Sequence, residues 1–281
     1  MLKSWLAAVV CVGLAASAFP VAVAADDLDA RADAIIASFT VDQLVGQMNQ
    51  IAISSLLETK TNNLNETAVR QFAKLKVGSY LTSIPWVFGP MLEIAQNPLW
   101  ARNYESFGED PYLVSVMADA IVRGLQSNKN TAACMKHFVG YSKTQTGHDK
   151  DGVTVSDFDL LNYYLPPFLA ATKAGVLSAM ENYISVNGVP TVANKKLMTD
   201  LLRHDMGFEG LMVTDYAEVN NLFTFHRIAK TRAQAVELSI ARTTVDMSMV
   251  ANNASFVGYA KAFLEKKPEY LERVRASARR I

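Results

Sequence analysis

Apolar positions along this chain recur with two periods. From Asp27 to Gln50, Ala30, Ala34, Ile35, Phe39, Leu44 and Met48 fall at helical spacing, and Thr40 or Asp42 is placed to cap a second helix. Glu66–Lys76 is a further helical candidate. Beyond it, short continuous apolar runs appear at Val77–Leu81, Trp86–Leu92, Ala132–Val139, Gly175–Met180, Gly210–Val213 and Thr244–Met249, as expected of strands covered on both faces. Amphipathic helical segments lie between most of them: Pro111–Gln126, Asp157–Thr172, Lys195–Asp205 and Ala229–Arg242. This alternation means βαβ units and a parallel sheet, either doubly wound or closed into a barrel. Candidate chemistry at several different strand exits favours the barrel, and no Gly-x-Gly-x-x-Gly follows any strand, which weakens a dinucleotide-binding reading. The tail, Phe256–Phe263 and Pro268–Ile281, reads as two amphipathic helices.

One junction breaks the rhythm. Only Thr82-Ser83-Ile84-Pro85 separate the run ending at Leu81 from the run starting at Trp86. Parallel neighbours need a crossover of about a dozen residues or more. The two runs are therefore an antiparallel pair, one bent strand, or the edges of a deletion.

The first 25 residues differ in kind from the rest. Lys3 gives a positive start, Leu6–Phe19 is apolar and uncharged, and Ala22-Val23-Ala24 forms a small-x-small cleavage pattern before Asp26-Asp27. Residues 1–25 are read as a secretory signal peptide, its apolar core too short to span a bilayer, leaving 26–281 as the mature domain. With Cys11 in the leader, the mature chain keeps only Cys134, whose apolar flanks suit a core position. Lys+Arg and Asp+Glu both number 27, so zero net charge offers no electrostatic case for nucleic acid or an anionic membrane. Asn65-Glu66-Thr67 and Asn253-Ala254-Ser255 are glycosylation sequons that would fit a secreted surface.

Chemistry-bearing residues gather after the apolar runs. Leu211-Met212-Val213-Thr214 leads into Asp215-Tyr216, a carboxylate at a strand exit, where α/β sheets place their active sites; the plainer reading is a helix or turn cap. Lys136-His137 follow Ala132–Met135, and Glu181-Asn182-Tyr183 follow Gly175–Met180. An unpaired cation beside a buried run is costly, so an open cleft or an ion pair with Asp215 or Glu181 is expected there. Arg102 sits in a loop dense in charge and aromatics, where pairing with Glu105 or Glu109 would lock the chain. Asp246 is read as a satisfied core carboxylate, and Gly147-His148-Asp149-Lys150-Asp151 as a solvated loop. No grouping has metal-ligand spacing and no Ser or Cys lies in a nucleophile elbow, so neither metal nor cofactor is expected. Donors, rings and one carboxylate suit a sugar, and carboxylate chemistry on a sugar suggests glycoside hydrolysis.

These stretches carry a resemblance. Val45-Gly46-Gln47-Met48, Tyr104–Pro111, Lys136-His137-Phe138-Val139-Gly140, Tyr164-Leu165-Pro166-Pro167-Phe168, Asn187-Gly188-Val189-Pro190 and Val213-Thr214-Asp215-Tyr216 follow one another as in family 3 glycoside hydrolases, the β-glucosidase and β-xylosidase group. The chain resembles that family over nearly its whole mature length. The resemblance implies a (β/α)8-type (TIM) barrel and a retaining mechanism on β-linked glucosides or oligosaccharides. It makes Asp215 the nucleophile, with Arg102, Lys136, His137 and Tyr183 on the sugar hydroxyls and Tyr216, where many members have Trp, along the sugar's face. Two departures stand out. Between Ser83 and Ile84 the family has a longer segment with a barrel strand and a substrate-binding Asp, so the barrel is expected to be incomplete by about two βα units. Most β-glucosidases of the family also continue into a further domain that supplies the acid/base Glu, which these residues do not include. Some members use a His-Asp pair instead, to which His148-Asp149 bears a superficial likeness. The implied activity is that of a secreted retaining β-glucosidase; the alternative is a truncated paralogue that binds carbohydrate or protein without turnover.

Overall fold

The structure is a computed structural model that describes residues 25–58, 61, 64–77, 79–81, 86–250 and 253–281. The leader-like residues 1–24 and the short junction 82–85 lie outside the described residues.

The alternation read from the sequence becomes a parallel sheet. Its strands are β1 (Asn49–Ala52), β2 (Ser79–Leu81), β3 (Trp86–Val87), β4 (Ala132–Phe138), β5 (Ser178–Glu181), β6 (Leu211–Val213) and β7 (Ser248–Met249). They pair in the orders β2-β1-β7 and β3-β4-β5-β6, all parallel. A parallel bridge from Val213 to Met247 joins the two groups. The result is a barrel-like wall that runs from β2 round to β3, and no ladder joins those two strands among the described residues. Among the described residues the runs on either side of the short junction are thus not paired with one another.

Side chains alternate across this wall as the pleat requires. Cys134, Met180, Leu211, Val213, Met247 and Met249 form one apolar cluster inside it, against which Trp86 and Phe88 pack. Ala133, Met135, Ala179 and Met212 point the other way, into the larger core beneath the helices. Trp86 Nε1 donates to Ser178 Oγ at 2.6 Å, two strands away, so an aromatic from the edge strand reaches across the interior. Cys134 is free and fully buried, and burial pushes its thiol up to about 12.

The helices follow from local sequence. Pro111–Gln126 begins with Asp110 accepting from the Tyr112 N–H and proline in the first turn, where its missing N–H costs nothing. Thr40 caps Val41–Gln47 in a reciprocal capping box with Gln43. The segment Asp157–Thr172, read as one helix, is an α-helical turn over Asp157–Asp159, a π-helical turn over Leu160–Tyr164 and then the α-helix Pro166–Lys173. Lys196–Asp205 is π-helical as well. Among the described residues no helix is long and apolar enough to cross a membrane.

Gly46 shows how closely the helix Val41–Gln47 is fitted against the end of the helix Glu66–Lys74. A Cβ there would stand 2.3 Å from the Lys76 carbonyl oxygen and 2.5 Å from that of Leu75. Backbone cannot rotate away as a side chain can. Gly46→Ala is expected to lower stability by about 1–3 kcal/mol, read as a lower urea midpoint with an unchanged slope.

Candidate functional site

Because the strands are parallel, their C-terminal ends share one edge, and the site is built there from β4, β5 and β6. The β4–β5 ladder slips between Lys136 and Phe138: Lys136 pairs with Met180, and Phe138 with Glu181. Such an irregularity re-aims the side chains it carries. Lys136 N donates to the Pro90 carbonyl at 3.0 Å and its carbonyl accepts from Leu92 N at 2.7 Å, which draws the segment 90–93 alongside. That segment delivers Glu93. Its Oε1 accepts from both the backbone N and the Nδ1 of His137, each at 2.8 Å, in a buried setting. With Nδ1 held by Glu93, the other ring nitrogen of His137 faces Asp215, Nε2 lying 3.5 Å from Oδ2.

Asp215 follows β6, and its loop is fixed from both sides. Thr214 N donates to the Met247 carbonyl at 2.9 Å, and Ala217 N to that of Met249 at 2.8 Å. Asp215 N donates to Glu181 Oε1 at 3.1 Å, while its Oδ1 accepts from Tyr216 N at 2.7 Å. Among the described residues Oδ2 accepts no hydrogen bond. The helix that follows, Glu218–Thr224, is preceded by Ala217 in a left-handed conformation with no side-chain cap, so Asp215 is not its cap.

Tyr183 completes the wall. Its hydroxyl titrates above the ordinary tyrosine range because burial disfavours the phenolate and the Asp215 carboxylate lies beside it. Asn182 fixes the two strand exits together, donating to the Phe138 and Val139 carbonyls at 2.9 and 3.1 Å. Tyr141 bridges outward: its ring meets those of His137 and Tyr183 edge-on, at centroid distances of 5.5 and 6.3 Å. Arg102 lies over the Tyr141 ring, 5.6 Å from its centroid. Its guanidinium grips Glu105 through two bonds, Nε at 2.7 Å and Nη2 at 2.9 Å, so the ion pair expected from the loop is formed. That bond, with the fields of Arg102, Lys136 and His137, holds the Glu105 carboxyl below its usual range against the opposing effect of burial. Tyr216 is 45% exposed at the rim.

The expected residues therefore come together in two steps. Asp215, His137 and Tyr183 adjoin directly; Arg102 is tied in through Tyr141; Lys136 and His137 act together on Glu105. Sequence reading missed Glu93 and Tyr141. Glu93 had a usable signal, since it ends the run Met91-Leu92 just as Asp215 ends its own. The His148-Asp149 pair is not formed. Asp149 accepts from the Tyr141 hydroxyl, and the exposed His148 lies 3.8 Å from Asp151. Among the described residues no group of His, Cys, Asp and Glu is placed to hold a metal ion.

Residues 22–281 match the glycosyl hydrolase family 3 N-terminal domain. The chain belongs to this family. This family 3 domain is 41% identical over 184 residues to the lysosomal beta glucosidase of Dictyostelium discoideum, which covers 62% of this chain and 22% of that protein. It is 31% identical over 219 residues to the periplasmic beta-glucosidase of Salmonella typhimurium, covering 75% of this chain and 28% of that one. Among solved structures, a beta-glucosidase from Listeria innocua in complex with glucose superposes with a TM-score of 0.79 at 22% identity, over 90% of this chain and 46% of that one. The chain thus matches about a quarter of the length of these curated relatives and shares the TIM-barrel-like α/β fold.

Proposed function

We propose that this family 3 domain is the barrel portion of a secreted retaining β-glycosidase acting on terminal β-linked glucosyl residues, with Asp215 as nucleophile. The observation that carries this reading is the asymmetry of Asp215. One carboxylate oxygen is fixed by the Tyr216 N–H and the other, Oδ2, is left without a hydrogen bond among the described residues, beside the His137 imidazole and the Tyr183 hydroxyl. An uncommitted oxygen in an oriented carboxylate is what attack at an anomeric carbon needs. Oδ2 forms the bond to the anomeric carbon as the glycosidic C–O bond breaks; water then cleaves the glycosyl ester and releases the sugar. Arg102, Lys136, His137 and Tyr183 supply donors for the sugar hydroxyls, and Tyr216 a ring for its face. Secretion rests on the leader-like residues 1–25.

Four carboxylates around the site each hold a partner through at least one oxygen: Glu93 with His137, Glu105 with Arg102, Glu218 with His226, and Glu181 with the Asp215 N–H. Glu93, Glu181 and Glu218 are buried away from a departing alcohol and Glu105 is held in its ion pair with Arg102, which also favours the alternative of a carbohydrate- or protein-binding module without turnover. A series of aryl β-glucosides separates the two. Hydrolysis should climb steeply as the leaving phenol becomes more acidic, with an unactivated disaccharide slower by about 10²–10⁴-fold. Glucose binding with no release of even the most acidic phenol would establish the binding role instead.

A further inference from the structure

Behind the nucleophile lies a carboxyl group that the proposed reaction does not use. Glu181, the last residue of β5, is fully buried. Its Oε1 accepts from the Asp215 backbone N–H at 3.1 Å, and its Oε2 has no hydrogen-bond partner among the described residues. The charged groups around it are of its own sign. Asp215 faces it from the exit of β6, and Glu218 from the helix Glu218–Thr224.

A fully buried carboxyl group beside two others of its own sign favours its protonated form, because ionising it would add a third like charge where water cannot screen it. The contacts set Glu181 apart from the other two. Asp215 has the Tyr216 N–H at 2.7 Å on Oδ1 and the His137 Nε2 3.5 Å from Oδ2, so two groups favour its charge even though Oδ2 accepts no hydrogen bond among the described residues. Glu218 is met by His226 Nε2 at 3.1 Å and by the Asn221 side-chain amide. Among the described residues Glu181 accepts one backbone N–H and forms no ion pair, and Lys136 on the adjacent strand bears on Glu105 and Cys134 instead. From β4, His137 reaches Asp215 and Glu93 rather than Glu181, and Tyr183, just beyond β5, interacts with Asp215.

We propose that Glu181 is a positioning residue which, as a neutral carboxylic acid, supports the Asp215 backbone from behind and leaves the negative charge of the pair on the nucleophile. Burial, reinforced by the Glu218 and Asp215 charges, raises its titration well above the usual carboxylate range, in the direction this role requires. The proposal rests on the nucleophile reading of Asp215, but its first test does not.

A buried Glu that keeps its proton in the folded chain binds one proton more than it does unfolded. Stability is therefore undiminished below the ordinary glutamate pKa, about 4.3, and falls as pH rises above it. Glu181→Gln keeps the acceptor for the Asp215 N–H and removes this linkage. Its folding equilibrium constant relative to the unsubstituted chain should grow by up to about tenfold per pH unit between mildly acidic and mildly alkaline pH. The second measurement is the rate at which an activated 2-deoxy-2-fluoro β-glucoside labels the chain. Glu181→Ala, which strands the Asp215 N–H, should slow it by roughly ten- to a hundredfold, and Glu181→Gln should restore most of that loss.

A Glu181→Gln chain that gains nothing with pH, fails to fold, or labels as poorly as Glu181→Ala would overturn the proposal. If the unsubstituted chain takes no label at all, the nucleophile reading fails, and the stability comparison alone still decides the state of Glu181.

Discussion

Asp215→Asn is expected to abolish phenol release from a dinitrophenyl β-glucoside, with kcat/KM lower by roughly 10³-fold or more. The reasoning is local. Asn keeps an oxygen to accept the Tyr216 N–H, now at 2.7 Å on Oδ1, so the loop need not move. What is lost is the uncommitted carboxylate oxygen, because an amide nitrogen in its place has no lone pair to offer a carbon. Thermal midpoint should change little, which separates loss of chemistry from loss of fold. Activity surviving in a verified Asp215→Asn preparation would assign the reaction elsewhere.

The largest effect on stability is expected at Asp246. This carboxylate is fully buried and fastens three parts of the chain. Oδ2 accepts from Arg203 Nη2 at 2.8 Å and Met212 N at 2.9 Å, and Oδ1 from Ser277 Oγ at 2.6 Å and Arg280 Nη1 at 3.0 Å. Arg273 lies in the same neighbourhood, held by the Thr243 and Val245 carbonyls at 2.9 and 2.6 Å. Burial lowers the Arg203 guanidinium to about 10 even with Asp246 beside it, and the Arg280 and Arg273 charges push the same way. Asp246→Ala removes the only carboxylate these contacts supply and leaves buried guanidinium charge without its partner. A cost of about 3–5 kcal/mol is expected, measured by urea denaturation. A change within about 0.5 kcal/mol would mean that the cluster does not bear on folding.

The reading of Asp246 as a core carboxylate rather than a reacting group was available from its place inside Val245-Asp246-Met247. Much of the helical pattern was equally legible. Pro111–Gln126 has its capping Asp, its first-turn proline and a clean apolar face, and its observed limits are those expected. Strand β1 was not legible. Asn49 and Gln50 are polar yet fully buried, and the apolar run they interrupt is too short to stand out. Trp86–Leu92 was read as one strand, but the regular ladder holds only Trp86–Val87; Gly89-Pro90 interrupts it, since proline offers no N–H, and Met91 rejoins β4 through a single parallel bridge to Lys136.

The site was readable where it depends on strand exits and not where it depends on long-range delivery. Asp215, His137 and Tyr183 each end or follow an apolar run, and parallel pairing alone carries them to one edge. Glu93 reaches His137 from 44 residues away through the Met91–Lys136 bridge, a contact no local pattern encodes. The burial of Glu181 was hidden for the same reason: its neighbours Asp215 and Glu218 come from later in the chain, brought in by the β5–β6 ladder.

The most direct measurement is peptide mass mapping of the purified chain after incubation with a 2-deoxy-2-fluoro β-glucoside bearing a dinitrophenyl leaving group, which needs no proton donor to depart. A single fluoroglucosyl adduct on the peptide containing Val213-Thr214-Asp215-Tyr216, fragmenting to Asp215, is the expected result. An adduct on a different residue, or none in a folded preparation that binds glucose, would contradict the assignment of Asp215 as the nucleophile.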